Sequence, residues 1–154
     1  MKFLARLFTR GSQPESNISR ALRVVVEDDN QSTRHALHNA LVNQRLIIPL
    51  ARLPRDVERD AAGRLTRPAS IDFLGFQERN GGRFIAAFTS PQALNKWKKD
   101  VPTWIAADTP AVCRLALESS YTVVKINPGS DNYAELGLDE IRMLATTEPG
   151  RQLM

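Results

Sequence analysis

Three groups of polar residues lie close enough along the chain to do chemistry together. Glu27, Asp28 and Asp29 are adjacent acids, the kind of pairing that proton transfer or a hard cation would use. His35 and His38 stand three apart, a spacing that puts two imidazoles on one helix face within reach of a single metal ion. Asp131, Tyr133 and Glu135 follow an Asn-Pro-Gly turn and form the polar cluster best placed to be an active site. Each has a plainer explanation. Adjacent acids between two amphipathic segments make a solvated turn. The histidines lack a third ligand and the HExxH spacing. Asn127 and Asp131 are residues that turns use to satisfy their own backbone. Ser90 lacks the GxSxG setting of a nucleophile, and a helix cap accounts for it. Asn80, Gly81 and Gly82 have neither the GxGxxG pattern nor the following helix that a nucleotide phosphate requires. No catalytic residue, metal or cofactor is therefore assigned.

The totals narrow the class further. The 154 residues, 42% of them hydrophobic and 25% charged, suit one globular domain, and no apolar run approaches the ~20 residues that span a bilayer. Cys113 is the only cysteine, so it closes no internal disulfide; it reads as an inert thiol buried on a helix in a reducing cytoplasm. The formal charge of +4 is concentrated at one end, where residues 1–23 hold Lys2, Arg6, Arg10, Arg20 and Arg23 against Glu15. The remainder is balanced, which argues against a nucleic-acid partner, since that would need a basic groove or stripe.

Several elements must position whatever the chain binds. A basic amphipathic leader, residues 1–16, gathers Phe3, Leu4, Leu7 and Phe8 on one face of a helix over 2–10 and ends in the breakers Gly11, Ser12, Gln13 and Pro14. Interrupted by Arg6, it is no secretory signal. A helix capped by Asn17 or Ser19 and running to about Glu27 would bury Ile18, Leu22, Val25 and Val26. A second helix, from Asn30 or Ser32 to about Gln44, would bury Leu37, Ala40 and Leu41 and leave His35 and His38 on its polar flank. Leu46 to Ala51 reads as a strand, with Pro49 marking an edge or a strand end. Residues 52–68, rich in arginine, form a long mobile loop.

Punctuation is clearest in the second half. IDFLGFQ and RFIAAFT flank a glycine-bearing loop, the pattern of a β-hairpin. The second strand stops at Thr89, where Ser90 can cap a helix and Pro91 supplies its φ; Ala93, Leu94 and Trp97 are that helix's apolar edge. The device repeats with a strand over Thr103 to Ala107, Thr109-Pro110, and a helix facing inward through Val112, Leu115, Ala116 and Ser119. The segment YTVVKIN makes a further strand, Pro128-Gly129 turns it, and AEL forms a small strand. A last helix opens at Gly137, with Asp139 and Glu140 in its first turn. The fold expected is α+β: a single mixed β-sheet with an antiparallel hairpin, later βα units, and helices packed on it.

FIAAFTSPQALNKW, IAADTPAVCRLALES and VVKINPGSDNYAELGLDEI, together with the two helices before LIIPL, resemble the SseB-type N-terminal domain of bacteria over about residues 17–146. Phe88, Thr89, Ser90, Asn127, Pro128, Gly129, Glu135, Leu136, Asp139, Glu140 and Ile141 match its pattern. Gly137 and Leu138 depart from the Ser-Pro that usually starts its last helix. The resemblance implies a domain over 17–154 and no catalytic residue.

The function expected from residues and resemblance together is a non-catalytic protein-binding or regulatory module. Secretion-linked regulation and toxin neutralisation are both compatible with it. The residues expected to meet a partner protein are Thr89, Ser90, Trp97, Trp104, Pro128, Asp131 and Tyr133, which combine loops with aromatic side chains. The alternatives are a small enzyme acting through Asp131, Tyr133 and Glu135, and a peripheral membrane protein held by residues 2–10, the latter disfavoured because one short helix anchors weakly.

Overall fold

Each of the first two helices among the described residues begins at a short polar side chain that takes up a free amide. Ser16 Oγ accepts from the Ser19 amide at 3.2 Å and starts α1, Asn17–Glu27. Asn30 and Thr33 cap each other's amides at 2.9 Å and start α2, Gln31–Val42. The computed structural model describes residues 16–51, 61–62, 74–99, 101 and 103–148. The expected leader helix over 2–10, most of the arginine-rich loop and the start of the hairpin's first strand lie outside the described residues.

The cap of α1 thus falls one residue before the expected Asn17. Ile18, Ala21, Leu22 and Val25 are buried, whereas Val26 is 48% exposed. One residue beyond Val25 turns the side chain about 100° out of the apolar stripe, so the expected burial of Val26 fails on helical geometry. In α2 the inward side chains are Leu37, Leu41 and Val42, with Ala40 packed partly against them.

Among the described residues six strands follow in two hydrogen-bonded groups. β1, Arg45–Leu50, runs antiparallel to β4, Thr103–Asp108, along its whole length. β2 (Gly75–Gln77), β3 (Arg83–Ala87), β5 (Val123–Ile126) and β6 (Ala134–Leu136) form the second group in that order. Its outer pairs are antiparallel and its central pair, β3 with β5, is parallel. The expected α+β class and mixed sheet are present. In place of one continuous sheet, a single bridge joins the groups, Ile47 and Phe88 exchanging both backbone hydrogen bonds at 2.7 and 2.8 Å.

β1 is therefore no edge strand. Pro49 sits one residue from its end, and its carbonyl, turned away from β4, accepts from the Leu74 amide at 3.1 Å. The amide hydrogen that proline lacks would have pointed to that same side, so the β4 ladder loses nothing.

Alternation along β1 and β3 sends apolar side chains to both faces. Leu46, Ile48, Leu50, Ile85 and Ala87 join the main core with α1, α2, α4 (Thr109–Glu118) and α5 (Leu138–Ala145). Ile47, Ala86 and Phe88 face a smaller core closed by Leu94 of α3, Pro91–Trp97. Trp97 completes that second core, its ring edge-on to Phe76 at 4.9 Å and tilted against Phe88 at 5.4 Å between centroids.

The strand-to-helix device occurs twice with different chemistry. Ser90 Oγ caps α3 by accepting from the Ala93 amide at 3.1 Å, as expected. At α4 the cap residue is Asp108, which makes no side-chain cap bond. Thr109 is instead buried and donates to the Gln44 carbonyl at 3.0 Å, tying the helix start to the end of α2. The inward face of α4 is Val112, Cys113 and Ala116, with Leu115 half-buried. Burial pushes the Cys113 thiol up to about 12, with nearby Arg114 opposing, so the thiol is inert at neutral pH.

Among the described residues two glycines occupy left-handed backbone. Gly81, at φ 89°, turns the β2–β3 hairpin in open space, whereas Gly129, at φ 81°, leaves a Cβ only 2.8 Å from Trp97 Cδ1. Gly129→Ala should cost about 2–3 kcal/mol, the backbone strain plus displacement of the indole, and Gly81→Ala only about 1 kcal/mol. Urea unfolding of both variants checks this; equal losses would mean the Gly129–Trp97 contact contributes nothing.

Candidate recognition site

Because β3 and β5 run parallel, their carboxyl ends come out side by side, and the two turns that follow meet. Asn127, at φ 54°, donates its amide to the Ala87 carbonyl at 2.8 Å. Its side chain then closes a two-bond clasp on Thr89: Oδ1 accepts from the Thr89 amide and Nδ2 donates to the Thr89 hydroxyl, both at 3.0 Å. Asn127 is buried, and asparagine tolerates left-handed backbone better than other side chains. Ser90, Trp97, Pro128 and Gly129 surround the clasp. Thr89, Ser90, Trp97 and Pro128, expected at a partner surface, are thus brought together, but Ser90 is committed to its cap and Trp97 to the second core.

Beside the clasp lies a hollow of about 470 Å³. In the β1–β4 ladder Ile47 faces Ala106 and Pro49 faces Trp104, so these side chains share one surface with Arg45 at the ladder's end. Thr89 and Pro91 form the opposite wall. Trp104 is 39% exposed, a large apolar side chain left open within a concavity. Arg45 is half-buried and donates from Nη1 to the Ala62 carbonyl at 3.1 Å. Its Nε and Nη2 are shielded from solvent and have no hydrogen-bond partner. Asp108, directly opposite in the ladder, makes no ion pair with it among the described residues.

The Asp131, Tyr133 and Glu135 cluster is not assembled as a unit. Tyr133 and Glu135 border a shallow hollow of about 240 Å³ with Val25, Val26, Asp29 and Arg34, and Asp131 is not among its walls. Asp131 and Tyr133 are exposed. The Glu135 carboxylate lies 3.7 Å from Lys125, which holds Glu78 at 2.6 Å. The hydrogen bond to Glu78 raises the lysine's pKa, burial opposes this, and the charge of Glu135 adds to the rise.

Sequence reasoning missed a charge network behind Tyr133. Arg34 grips Asp29 at 2.8 Å, Glu140 at 3.3 Å and the Glu135 carbonyl at 2.9 Å. His38 Nε2 meets Glu140 Oε2 at 2.5 Å, and Glu140 Oε1 accepts the Gly137 amide at 3.1 Å. Glycine has no side chain to cap α5, so this reach-back from Glu140 is the half of a capping box that remains. Burial alone would raise the Glu140 carboxyl; the bonds from His38 and Gly137 and the charge of Arg34 outweigh it and hold the pKa below the ordinary glutamate value. His38 is thus a brace between α2 and α5, while the acids after α1 have local partners: Arg23 for Glu27, Asn30 for Asp28 and Arg34 for Asp29. Arg45 was also missed. The signal for it in the sequence is a lone cation opening the otherwise apolar strand RLIIPL.

A two-sided α+β sheet with a side-chain clasp across its one parallel strand pair defines a small mixed domain in which the paired motifs Phe-Thr-Ser and Asn-Pro-Gly form one joint. The chain belongs to the SseB family: the model of the SseB protein N-terminal domain matches residues 18–143. No curated protein and no solved structure matches it. Among the described residues no helix is long and apolar enough to cross a membrane.

Two outcomes follow from these contacts. Asn127→Ala, which removes both clasp bonds and leaves a non-glycine residue at positive φ, should lower unfolding free energy by about 2–4 kcal/mol, and Asn127→Gly by less, since glycine relieves the strain. Denaturant titration reads both, and equal losses would remove the strain component from this account. For Glu140 the folded pKa is depressed, so its stabilisation is present above the unfolded value and is lost as pH falls through the folded one. The wild type should therefore lose stability below about pH 4.3 relative to Glu140→Gln, the gap between their urea midpoints narrowing from pH 7 to pH 3. A gap independent of pH would contradict it.

Proposed function

We propose that this chain is a non-catalytic recognition module of the cytoplasm that binds another protein through the hollow between β1, β4 and the Thr89–Pro91 joint. The observation that carries the reading is the open indole of Trp104 beside the unpaired edge of Arg45. Trp and Arg are the side chains that most often dominate binding energy at protein interfaces, and a concave apolar site with one convergent polar group is the ordinary form of a binding site. Rigid walls favour the same reading, because a surface held by the clasp and by two strands loses little freedom on binding.

Supporting the choice of partner, the charge of residues 24–154 is balanced, which suits a protein better than a nucleic acid. The catalytic alternative has less support, since among the described residues the hollow that holds Tyr133 and Glu135 does not include Asp131. A single buried, unreactive cysteine fits a reducing compartment.

Site-resolved photo-crosslinking in the native host tests the reading. A benzophenone side chain replacing Trp104 should yield a discrete adduct with one protein that is absent when the probe replaces Arg142, which is 63% exposed on α5. Identical adduct patterns from both positions, or none from position 104, would count against the hollow as the partner surface.

A further inference from the structure

We infer that the hollow reads a carboxylate: an extended acidic segment of the partner sets one aspartate or glutamate side chain on Arg45 and a neighbouring apolar side chain on Trp104. This rests on the proposed recognition role and gives its partner a chemistry. The edge formed by Nε and Nη2 is the face of a guanidinium that grips a carboxylate with two parallel hydrogen bonds. In Arg45 that edge is removed from solvent and has no acceptor, while Nη1 anchors the group to the Ala62 carbonyl. A desolvated cation without an anion is unfavourable, and the arginine lines the hollow, so an incoming acid that draws the guanidinium outward, exchanging the Ala62 bond, gives the fork the acceptor it lacks.

The walls select the kind of anion. Ile47, Pro91, Trp104 and Ala106 are apolar, and Arg45 is the only charged side chain among the described residues lining the hollow. A single positive charge balances a carboxylate; a phosphate, carrying nearly two charges at neutral pH, would leave one uncompensated against an apolar surface. The same walls call for an apolar neighbour on the ligand. Trp104 and Ala106, two residues apart on β4, present side chains on one face, so an extended segment lying along the strand places alternate side chains toward them.

Fluorescence anisotropy with a labelled, C-terminally amidated hexapeptide of alternating aspartate and leucine tests this, against the same peptide with asparagine for aspartate. The aspartate peptide should bind, the asparagine peptide about tenfold or more weakly, and Arg45→Gln should bring the first to the level of the second with its far-ultraviolet circular dichroism unchanged. If Arg45→Gln folds poorly, Arg45→Lys replaces it: keeping the charge without the fork, it should lose most of the discrimination. Trp104→Ala should weaken both peptides alike. Equal binding of the two peptides to the wild type, or discrimination that survives in both Arg45 variants, overturns the carboxylate assignment; sensitivity of that binding to Trp104→Ala would leave the recognition hollow standing. Inorganic phosphate competing more strongly than acetate overturns the choice of anion, and failure of either peptide to bind overturns the inference as a whole.

Discussion

Two hydrogen bonds between Thr89 and Asn127 hold the exits of β3 and β5 against each other. Parallel strands end on the same side, and where β3 and β5 stop, the chain must leave in two directions, into α3 and into the Pro128–Gly129 turn. A buried asparagine with both amide atoms engaged holds those exits together. Losing it would leave the half-buried amide and hydroxyl of Thr89 without their partner, which costs more than the bonds themselves gain in a folded chain. From this joint the second core follows. Gly129 allows Trp97 to approach the turn, Trp97 closes over Phe76 and Phe88, and Phe88 bridges to Ile47. One side-chain pair thereby connects both strand groups.

Burial on two faces explains why apolar runs dominate β1 and β3. With α1, α2, α4 and α5 on one side and α3 on the other, neither strand shows a wet face, and the apolar-polar alternation of a one-sided sheet is missing. Each strand opens on an arginine: Arg83 of β3 stands in solvent, whereas Arg45 of β1 is half-buried where the second core opens into the hollow beside Trp104. Two other half-buried groups of charges are mutually satisfied: Lys125 between Glu78 and Glu135, and Arg34 and His38 around Glu140. Arg45 differs in having a buried edge with no acceptor, which is why the recognition reading centres on it.

Local order was legible throughout. The hairpin, the Ser90 cap, the Pro128–Gly129 turn and the two opening helices can each be read from a few neighbouring residues, because caps, turns and periodicity depend on contacts within about four positions of the chain. Errors arose where those rules were extended by one residue or one analogy. Val26 was assigned to a stripe that had already rotated away, and Thr109-Pro110 looked like a second Ser90-Pro91 although its hydroxyl goes to the end of α2. The candidate site is legible only in part: Thr89 at its joint and Trp104 on its strand are recognisable, whereas Arg45 is marked only as the cation that opens RLIIPL, with nothing to say that its fork lacks an acceptor.

Among the described residues, the secondary elements, their α+β class and, through the order of short motifs, the family can be read from the chain's own order of residues. Each of these is encoded in backbone preference and spacing. Only the folded chain shows that two motifs 38 residues apart are halves of one clasp, that Glu140 joins a histidine 102 residues away, and that two nitrogens of Arg45 are buried without an acceptor. The physical reason is that hydrogen bonding and desolvation are settled by which groups meet in space, and a linear chain does not state which distant side chains will share a boundary.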